Sequence, residues 1–262
     1  MPIMRDLNAI FTIAYRDVTK FLRDRSRIIA TFMFPFIFVG ILGSSIQSNL
    51  AGKSGYNFLT FVFIGTIAQT LFQSTASGII SLIEDRENDF SQEMFVSPIS
   101  RYSIILGKIL GESIVAYVQI VGILILGVVL RVPISFPDIL KILPLGLIIC
   151  FMGGAFGVLV MSQLNSQRSA NQIFPFLILP QFFLAGVFTP IKNLPPLLFI
   201  LSRAAPMTYA VDFIRSVYYW GKPEYSQVVL FGPVTNAIVI VAISLVCIGF
   251  GTYFFINNER NK

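Results

Sequence analysis

Charged residues are concentrated in one short stretch of the chain, EDRENDFSQEMFVSPISR, which covers residues 84–101 between long apolar segments. At about 100° per residue a helix aligns three of its carboxylates on one stripe: Asp85, Asp89 and Glu93. Phe90 and Met94 lie beside that stripe, and Pro98 ends the helix because it disfavours helical geometry in the residue before it. The pattern predicts a short amphipathic helix with the form of a docking surface, whereas composition alone favours a solvated charged loop.

Side chains for catalysis or metal binding are scarce. The chain contains no histidine, which excludes Ser-His nucleophilic sites and histidine metal sites. Cys150 and Cys247 both lie in apolar runs, so we interpret them as buried packing residues rather than as a disulfide or a metal pair. The sequence therefore predicts no catalytic residue and no metal site.

The composition is that of an integral membrane protein. Hydrophobic residues make up 55% of the 262 residues and charged residues only 12%. Since a bilayer core needs roughly 20 apolar residues per helix, this length accommodates about six spans and leaves no room for a soluble catalytic domain. The net charge of +6 is spread between the spans, which favours anionic lipid over nucleic acid as the partner.

The charged stretch resembles the segment after the second span in permease subunits of type-2 ABC exporters, which include the daunorubicin-resistance and Nod-factor export permeases. The matching residues are Asp85, Arg86, Glu87, Phe90, Glu93, Val96, Ser97, Pro98, Ile99, Ser100 and Arg101. Asp89 stands where the family usually has glycine, which favours a continuous helix over a sharp turn. A second resemblance covers residues 174–216, with Pro180, Phe183, Gly186, Pro190, Leu194-Pro195, Pro206, Thr208-Tyr209, Asp212 and Arg215 in the family's order.

The resemblance implies a coupling helix at 85–97 that receives the movement of a separate ATPase. The coupling residues it implies are Asp85, Arg86, Glu87, Phe90, Glu93 and Phe95. It further implies two ATPase copies that carry the ATP and magnesium, a second permease copy as homodimer or close paralogue, and no cofactor on this chain.

The expected fold is all-α, a single transmembrane permease domain over 1–262. An amphipathic helix at 5–25 is expected in the cytoplasmic interface, with a soluble cap helix as the alternative. Six spans are expected at about 28–46, 58–83, 102–130, 141–161, 173–188 and 235–256. Residues 191–232 are expected to form an external re-entrant helical hairpin, because the apolar piece at 197–201 is too short to cross a bilayer, with a surface loop at the outer interface as the alternative.

Basic residues set the expected orientation. With the N-terminus inside, the cytoplasmic segments hold most of the 19 lysines and arginines. Six spans then place both termini and the coupling segment in the cytoplasm, and we expect the plasma membrane as the location.

The candidates for a pathway or gate are Gln69, Gln73, Glu112, Gln119 and Gln181 within the expected spans, together with Arg203, Asp212 and Arg215 in the expected hairpin. The simpler interpretation of the glutamines is hydrogen bonding between helices. For Glu112 it is an ion pair with Lys108, four residues earlier, and for Asp212 a pair with Arg215 on a wet helix face.

Together these features predict the membrane subunit of an ATP-driven exporter of drug-like, lipid or glycan-linked substrates, as in drug efflux and multidrug resistance. A stand-alone secondary transporter or channel is the alternative. It would need several intramembrane acids, whereas Glu112 is the one acid within an expected span. A membrane scaffold or immunity subunit is a third reading, and a transport assay with the purified partner separates it from an exporter.

Overall fold

A computed structural model describes residues 2–50, 55–87, 101–164, 166–192 and 194–260. Every regular element in these ranges is helical, as predicted. The helices are α1 (Pro2–Arg23), α2 (Arg25–Pro35), a π-helical segment (Phe36–Gly43), α3 (Ser44–Leu50), α4 (Phe58–Glu87), α5 (Arg101–Val129), α6 (Phe136–Met161), α7 (Gln167–Leu184), α8 (Pro196–Ala204), α9 (Pro206–Tyr218), α10 (Tyr225–Val228) and α11 (Pro233–Arg260).

Five helical stretches in the described residues are long and apolar enough to cross a membrane: Arg25–Asn49, Phe58–Ile83, Tyr102–Val129, Phe136–Met161 and Tyr225–Phe254. Helices α8 and α9 pass the same test only as a pair, with an 85° bend between them. The expected fifth span corresponds to α7, which has 18 residues, begins six residues before Ile173 and is not among the five. The architecture is a bundle of five or six apolar spans.

Helix α1 covers the N-terminal segment and packs along the first half of α5. The close approach depends on Gly107 and Gly111, where an added Cβ would lie 3.0 Å from the Ile10 Cα and 2.9 Å from the Ala14 Cα. Phe11 and Tyr15 remain exposed on the other side of α1. One flank is therefore fixed to the bundle and the other is free to contact lipid head groups.

The first span is continuous from Arg25 to Asn49 but changes its winding at Pro35. Asp24 begins α2 by accepting a 2.9 Å hydrogen bond from the Arg27 N–H. Pro35 has no N–H, and the chain continues beyond it as the π-helical segment. Pro35 therefore coincides with a local change of helix type.

Helix α4 is the centre of the bundle, packed against α5, α6, α7 and α9. Phe61, Phe63, Ile67 and Phe72 on this helix are almost completely buried. Helix α6 lies close to it because Gly157 leaves no side chain between them, and an added Cβ there would come within 2.6 Å of the Ala76 carbonyl. The first span and α11, by contrast, are largely exposed at the edges of the described bundle.

Capping residues decide where α6 and α7 begin. Ser135 and Asp138 form a reciprocal capping box, so α6 starts at Phe136 and not at about Lys141 as predicted. Ser166 accepts from the Ser169 N–H and starts α7. These caps set where α6 and α7 begin. Helices α8 and α9 lie at the end of the bundle opposite α1, where Arg215 on α9 binds the Phe61 carbonyl at the start of α4.

Candidate functional site

A polar cavity of about 160 Å³ lies inside the bundle between α2, α4 and α5. Most of its lining side chains carry an amide, a hydroxyl or a charge. The lining consists of Arg27, Ala30, Thr31, Phe34, Pro35, Gln69, Thr70, Gln73, Ser74, Ser77 and Gln119. Three of the four glutamines predicted as pathway candidates therefore meet in one space.

Helix α4 supplies the polar wall of this cavity. Gln69, Gln73 and Ser77 recur every four residues and lie on one helix face. The Gln69 amide N–H donates to the Gln73 Oε1 at 2.8 Å, which fixes how both amides point. Within the described residues, the buried Gln69 Oε1 and Ser74 Oγ have no hydrogen-bond partner. Since buried polar atoms are normally hydrogen-bonded, these two mark a place for a polar ligand or for water.

Helix α2 supplies the facing wall, where Thr31 and Pro35 both line the cavity. The Thr31 carbonyl would ordinarily accept from the N–H four residues later, but that residue is Pro35 and has none. Pro35 therefore removes one helical hydrogen bond from the wall of the cavity. Local changes of helix winding of this kind occur frequently at functional sites.

Arg27 in the cavity lining belongs to a group of four charged residues on α1, α2 and α5. The Lys108 Nζ lies 2.8 Å from the Asp17 Oδ2 and 3.7 Å from the Glu112 Oε1. The Arg27 Nη2 lies 3.3 Å from the Glu112 Oε2. Asp17, Lys108 and Glu112 are all buried, so the pairs are poorly screened by water and connect α1, α2 and α5. We call these four residues the charge cluster.

The sequence correctly predicted the Lys108–Glu112 pair but missed Asp17 and Arg27. A signal for Asp17 was present, because it falls on the stripe that carries Ala14 and Phe21, both of which are buried. Gly78 was missed too. An added Cβ at this position of α4 would collide with the Glu112 carboxylate, so the cluster also depends on the absence of a side chain there.

A second polar cluster lies at the opposite end, on α9. Both oxygens of Asp212 accept hydrogen bonds of 2.8 Å, from the Leu230 N–H, the Phe231 N–H and the Asn236 amide. These partners lie in the segment that enters α11 and near its start. Asp212 therefore fixes the loop that precedes the last span.

Arg215 serves the same purpose for two other segments. Its guanidinium donates to the carbonyls of Gly186 at 2.7 Å, Val187 at 3.0 Å and Phe61 at 3.2 Å. It also lies 3.5 Å above the Phe61 ring. Arg215 thus joins the turn after α7 to the start of α4.

Two expectations for α9 are wrong. Asp212 and Arg215 form no ion pair with each other, because backbone groups of neighbouring segments already occupy both side chains. The face expected to be wet is buried, with Thr208 and Ser216 completely enclosed. Its polarity serves backbone groups of the protein and not water.

The remaining two candidates lie away from the cavity. Gln181 is buried and accepts from the Met207 N–H at 3.3 Å, which attaches the start of α9 to α7. Arg203 ends α8 and lies 4.8 Å from the centres of both the Phe199 and Phe231 rings. After α9, the Lys222 Nζ lies 3.9 Å from the Asp138 Oδ2. Burial lowers the pKa of Lys222 from its usual value, and the negative charge of Asp138 opposes that shift.

The predicted coupling helix is described only at its beginning. Asp85, Arg86 and Glu87 form the end of α4, which continues past the apolar span without interruption. Phe90, Glu93 and Phe95 lie outside the described residues.

Comparison with known proteins identifies the class. The family model for the ABC-2 type transporter matches residues 8–219, which include the charge cluster, the cavity and α9. The chain belongs to this family. It is therefore a transport permease and a non-catalytic, multi-pass membrane subunit, and membership implies pairing with an ABC ATPase.

Two named relatives agree with this assignment. The putative transport permease ycf38 of Cyanophora paradoxa is 25% identical over 220 residues, which cover 81% of this chain and 74% of that protein. The probable multidrug ABC transporter permease YbhR of Escherichia coli strain K12 is 27% identical over 141 residues, covering 53% of this chain and 38% of that protein.

Proposed function

We propose that this chain is the membrane subunit of an ATP-driven exporter and that the polar cavity is part of its transport pathway. One helix, α4, forms a wall of the cavity and also leads into the predicted coupling segment, and this continuity supports the proposal. Helix α4 lines the cavity with Gln69, Gln73, Ser74 and Ser77 and ends in Asp85, Arg86 and Glu87. At 1.5 Å per residue, about 15 Å of continuous helix separates Ser77 from Glu87.

The coupling proceeds through this helix. Two copies of the ATPase bind ATP and magnesium, and their closure pushes on the coupling segments of two permease copies, as a homodimer or with a close paralogue. Because α4 is packed on several sides, a shift of its Glu87 end moves the cavity wall relative to α2 and α5. ATP must favour one state over the other by several kcal/mol to switch the population.

The charge cluster suits such a movement. It connects the cavity to α1, and its ion pairs offer alternative partners, since both Lys108 and Arg27 are near Glu112. A rearrangement of these pairs keeps each charge compensated while the helices move, which avoids the cost of an isolated buried charge.

In the orientation that we propose from the distribution of basic residues, α1, the charge cluster and both termini lie in the cytoplasm, and α8 and α9 lie at the outer face of the plasma membrane. At 9 and 13 residues, α8 and α9 are each too short to cross a bilayer. We propose that they form a re-entrant hairpin that caps the pathway. A cysteine at the exposed Trp220, in a chain with Cys150 and Cys247 replaced, should react with an impermeant thiol reagent added outside intact cells. Labelling only from the cytoplasmic side would reverse the orientation.

Reconstitution tests the function itself. In proteoliposomes that contain this chain and its partner ATPase, transport should require ATP, and the permease alone should hydrolyse none. Glu87→Lys, Glu93→Lys and Phe90→Ala should uncouple hydrolysis from transport or weaken ATPase docking, while the permease still folds and inserts. Phe90→Ala should have the largest effect, because buried aromatic anchors often contribute 2 kcal/mol or more to docking. Transport at the native rate in all three variants would remove the coupling role.

A further inference from the structure

The polar cavity is small compared with a site for a whole drug-sized molecule. Its volume is about 160 Å³, whereas pockets for drug-sized ligands have volumes of about 300–1,000 Å³. A ligand of the cavity therefore inserts only a compact part.

The hydrogen-bonding groups in the cavity define the chemistry of that part. Within the described residues, the unpaired groups are the Gln69 Oε1, which only accepts, and the Ser74 hydroxyl, which both donates and accepts. Acceptors left without donors in a buried space select a ligand group that donates, such as a hydroxyl or an amide N–H. A site with a buried acceptor that needs a donor from the ligand binds ligands without such a donor much more weakly.

Charge restricts the choice further. Arg27 is the one charged residue in the described lining, and it disfavours an ammonium head group. Its guanidinium is already bound to Glu112 at 3.3 Å, and that carboxylate would repel an anionic head group at the same end. The remaining class is an uncharged head group that carries hydroxyl or amide donors.

An apolar groove adjoins the cavity and fits the rest of such a molecule. It has a volume of about 340 Å³ and is lined by Phe32, Pro35, Phe36, Gly122, Ile123, Ile125, Leu126 and Val129. Pro35 borders both the cavity and the groove. Phe36, Ile125 and Val129 are exposed, so the groove is open towards the surroundings of the bundle, where a chain in the bilayer reaches it.

We infer that the pathway takes an uncharged amphiphile, with its hydroxyl- or amide-bearing head group in the polar cavity and its apolar chain in the groove between α2 and α5. This inference rests on the proposed pathway and narrows its substrate class. It separates this permease from a transporter of cationic amphiphiles, whose positive charge Arg27 in the cavity lining would repel.

The probe for the test is a monoacylglycerol with a photoreactive diazirine in its acyl chain, applied to the purified full chain in lipid nanodiscs. After illumination, labelled peptides are mapped by mass spectrometry. Labels should fall within residues 32–36 and 122–129. Gln69→Leu and Ser74→Ala should each reduce labelling roughly fivefold, since each removes one head-group hydrogen bond. Gln163→Leu is the matched control at an exposed glutamine outside the cavity and should leave labelling unchanged.

Competitors of equal chain length read out the head-group class. Unlabelled monoacylglycerol should displace the probe at least about tenfold better than the alkyltrimethylammonium or the monoacylglycerol phosphate. Equal or better displacement by either charged amphiphile would overturn the inference, as would labelling that is insensitive to Gln69→Leu and Ser74→Ala. The measurement needs neither ATPase nor transport, so it fails independently of the proposed exporter function.

Discussion

The two polar clusters at opposite ends of the bundle use their charges in different ways. On α9, Asp212 and Arg215 each make three hydrogen bonds to groups of other segments, five of them backbone N–H or carbonyl groups. At the α1 end, Asp17, Arg27, Lys108 and Glu112 pair with one another across helices, beside a cavity that keeps unpaired acceptors.

The difference indicates which end is a framework and which end is a site. Backbone groups bound by Asp212 and Arg215 have no equivalent alternative partner, so these bonds hold loops in one arrangement. Glu112 can pair with either Lys108 or Arg27, so these ion pairs can rearrange. The unpaired polar atoms of the cavity gain a hydrogen-bond partner only when a ligand or water binds. Substitutions on α9 should therefore lower stability more than transport. Substitutions of residues that line the cavity should lower transport more than stability.

The largest effect on stability is expected from Arg215→Gln. It leaves up to three buried carbonyls without a donor, which should lower the free energy of unfolding by about 3 kcal/mol or more. Thermal unfolding of the detergent-purified chain should show a midpoint at least about 6 °C lower. Arg203→Gln, at a partly exposed arginine that stacks on two rings, is the matched control and should cost under about 1 kcal/mol. Equal shifts in the two variants would mean that Arg215 is not a framework residue.

Lys108→Met should have the next largest effect. It removes the cation between two buried carboxylates and should cost about 2–3 kcal/mol, because within the described residues Asp17 then keeps only the partly exposed Arg16, 3.0 Å away, as its ion-pair partner. Adding Asp17→Asn to Lys108→Met should recover part of the loss, as a double-mutant cycle on thermal stability would show. Strictly additive losses would indicate that the two side chains do not interact.

Gly78→Ala tests the same cluster from α4. The new methyl group displaces the Glu112 carboxylate and should cost about 1–2 kcal/mol in stability. Glu112→Ala should relieve that clash, so Gly78→Ala in its presence should be close to neutral. An unchanged cost would place the strain elsewhere.

Ser74→Ala should have the smallest effect on stability and a clear effect on transport. The Ser74 hydroxyl has no partner in the described residues, so its removal should change the free energy of unfolding by less than about 0.5 kcal/mol. ATP-driven transport in proteoliposomes should nevertheless fall several-fold. A large loss of stability would show that Ser74 belongs to the framework.

Much of the fold was predictable, because spans are recorded in local hydropathy. The helices expected at 58–83 and 102–130 agree with the structure to within four residues at each end. The starts of α6 and α7 were predicted late, since the apolar run begins after the cap, and the Ser135–Asp138 capping box was the signal that decides the first of them.

The sequence predicts which polar residues belong to the sites, but not which groups their side chains contact. Gln69, Gln73 and Gln119 were selected because polar groups are rare in spans, and they do meet in one cavity. Nothing local in the sequence distinguishes them from Gln181, which binds backbone groups. The Asp212–Arg215 pair was predicted from spacing alone, and it fails because tertiary backbone partners compete with neighbours on the same helix.

The proposed coupling requires that the cavity wall on α4 moves when the ATPase acts. The direct test is the reaction rate of Ser74→Cys with a small thiol reagent, in a chain with Cys150 and Cys247 replaced, bound to its ATPase in nanodiscs. The rate should change at least about fivefold between the nucleotide-free complex and the complex trapped with nucleotide, while Trp220→Cys should react at a similar rate in both. An unchanged rate at Ser74→Cys in a complex that hydrolyses ATP would show that the cavity wall on α4 does not move with the ATPase.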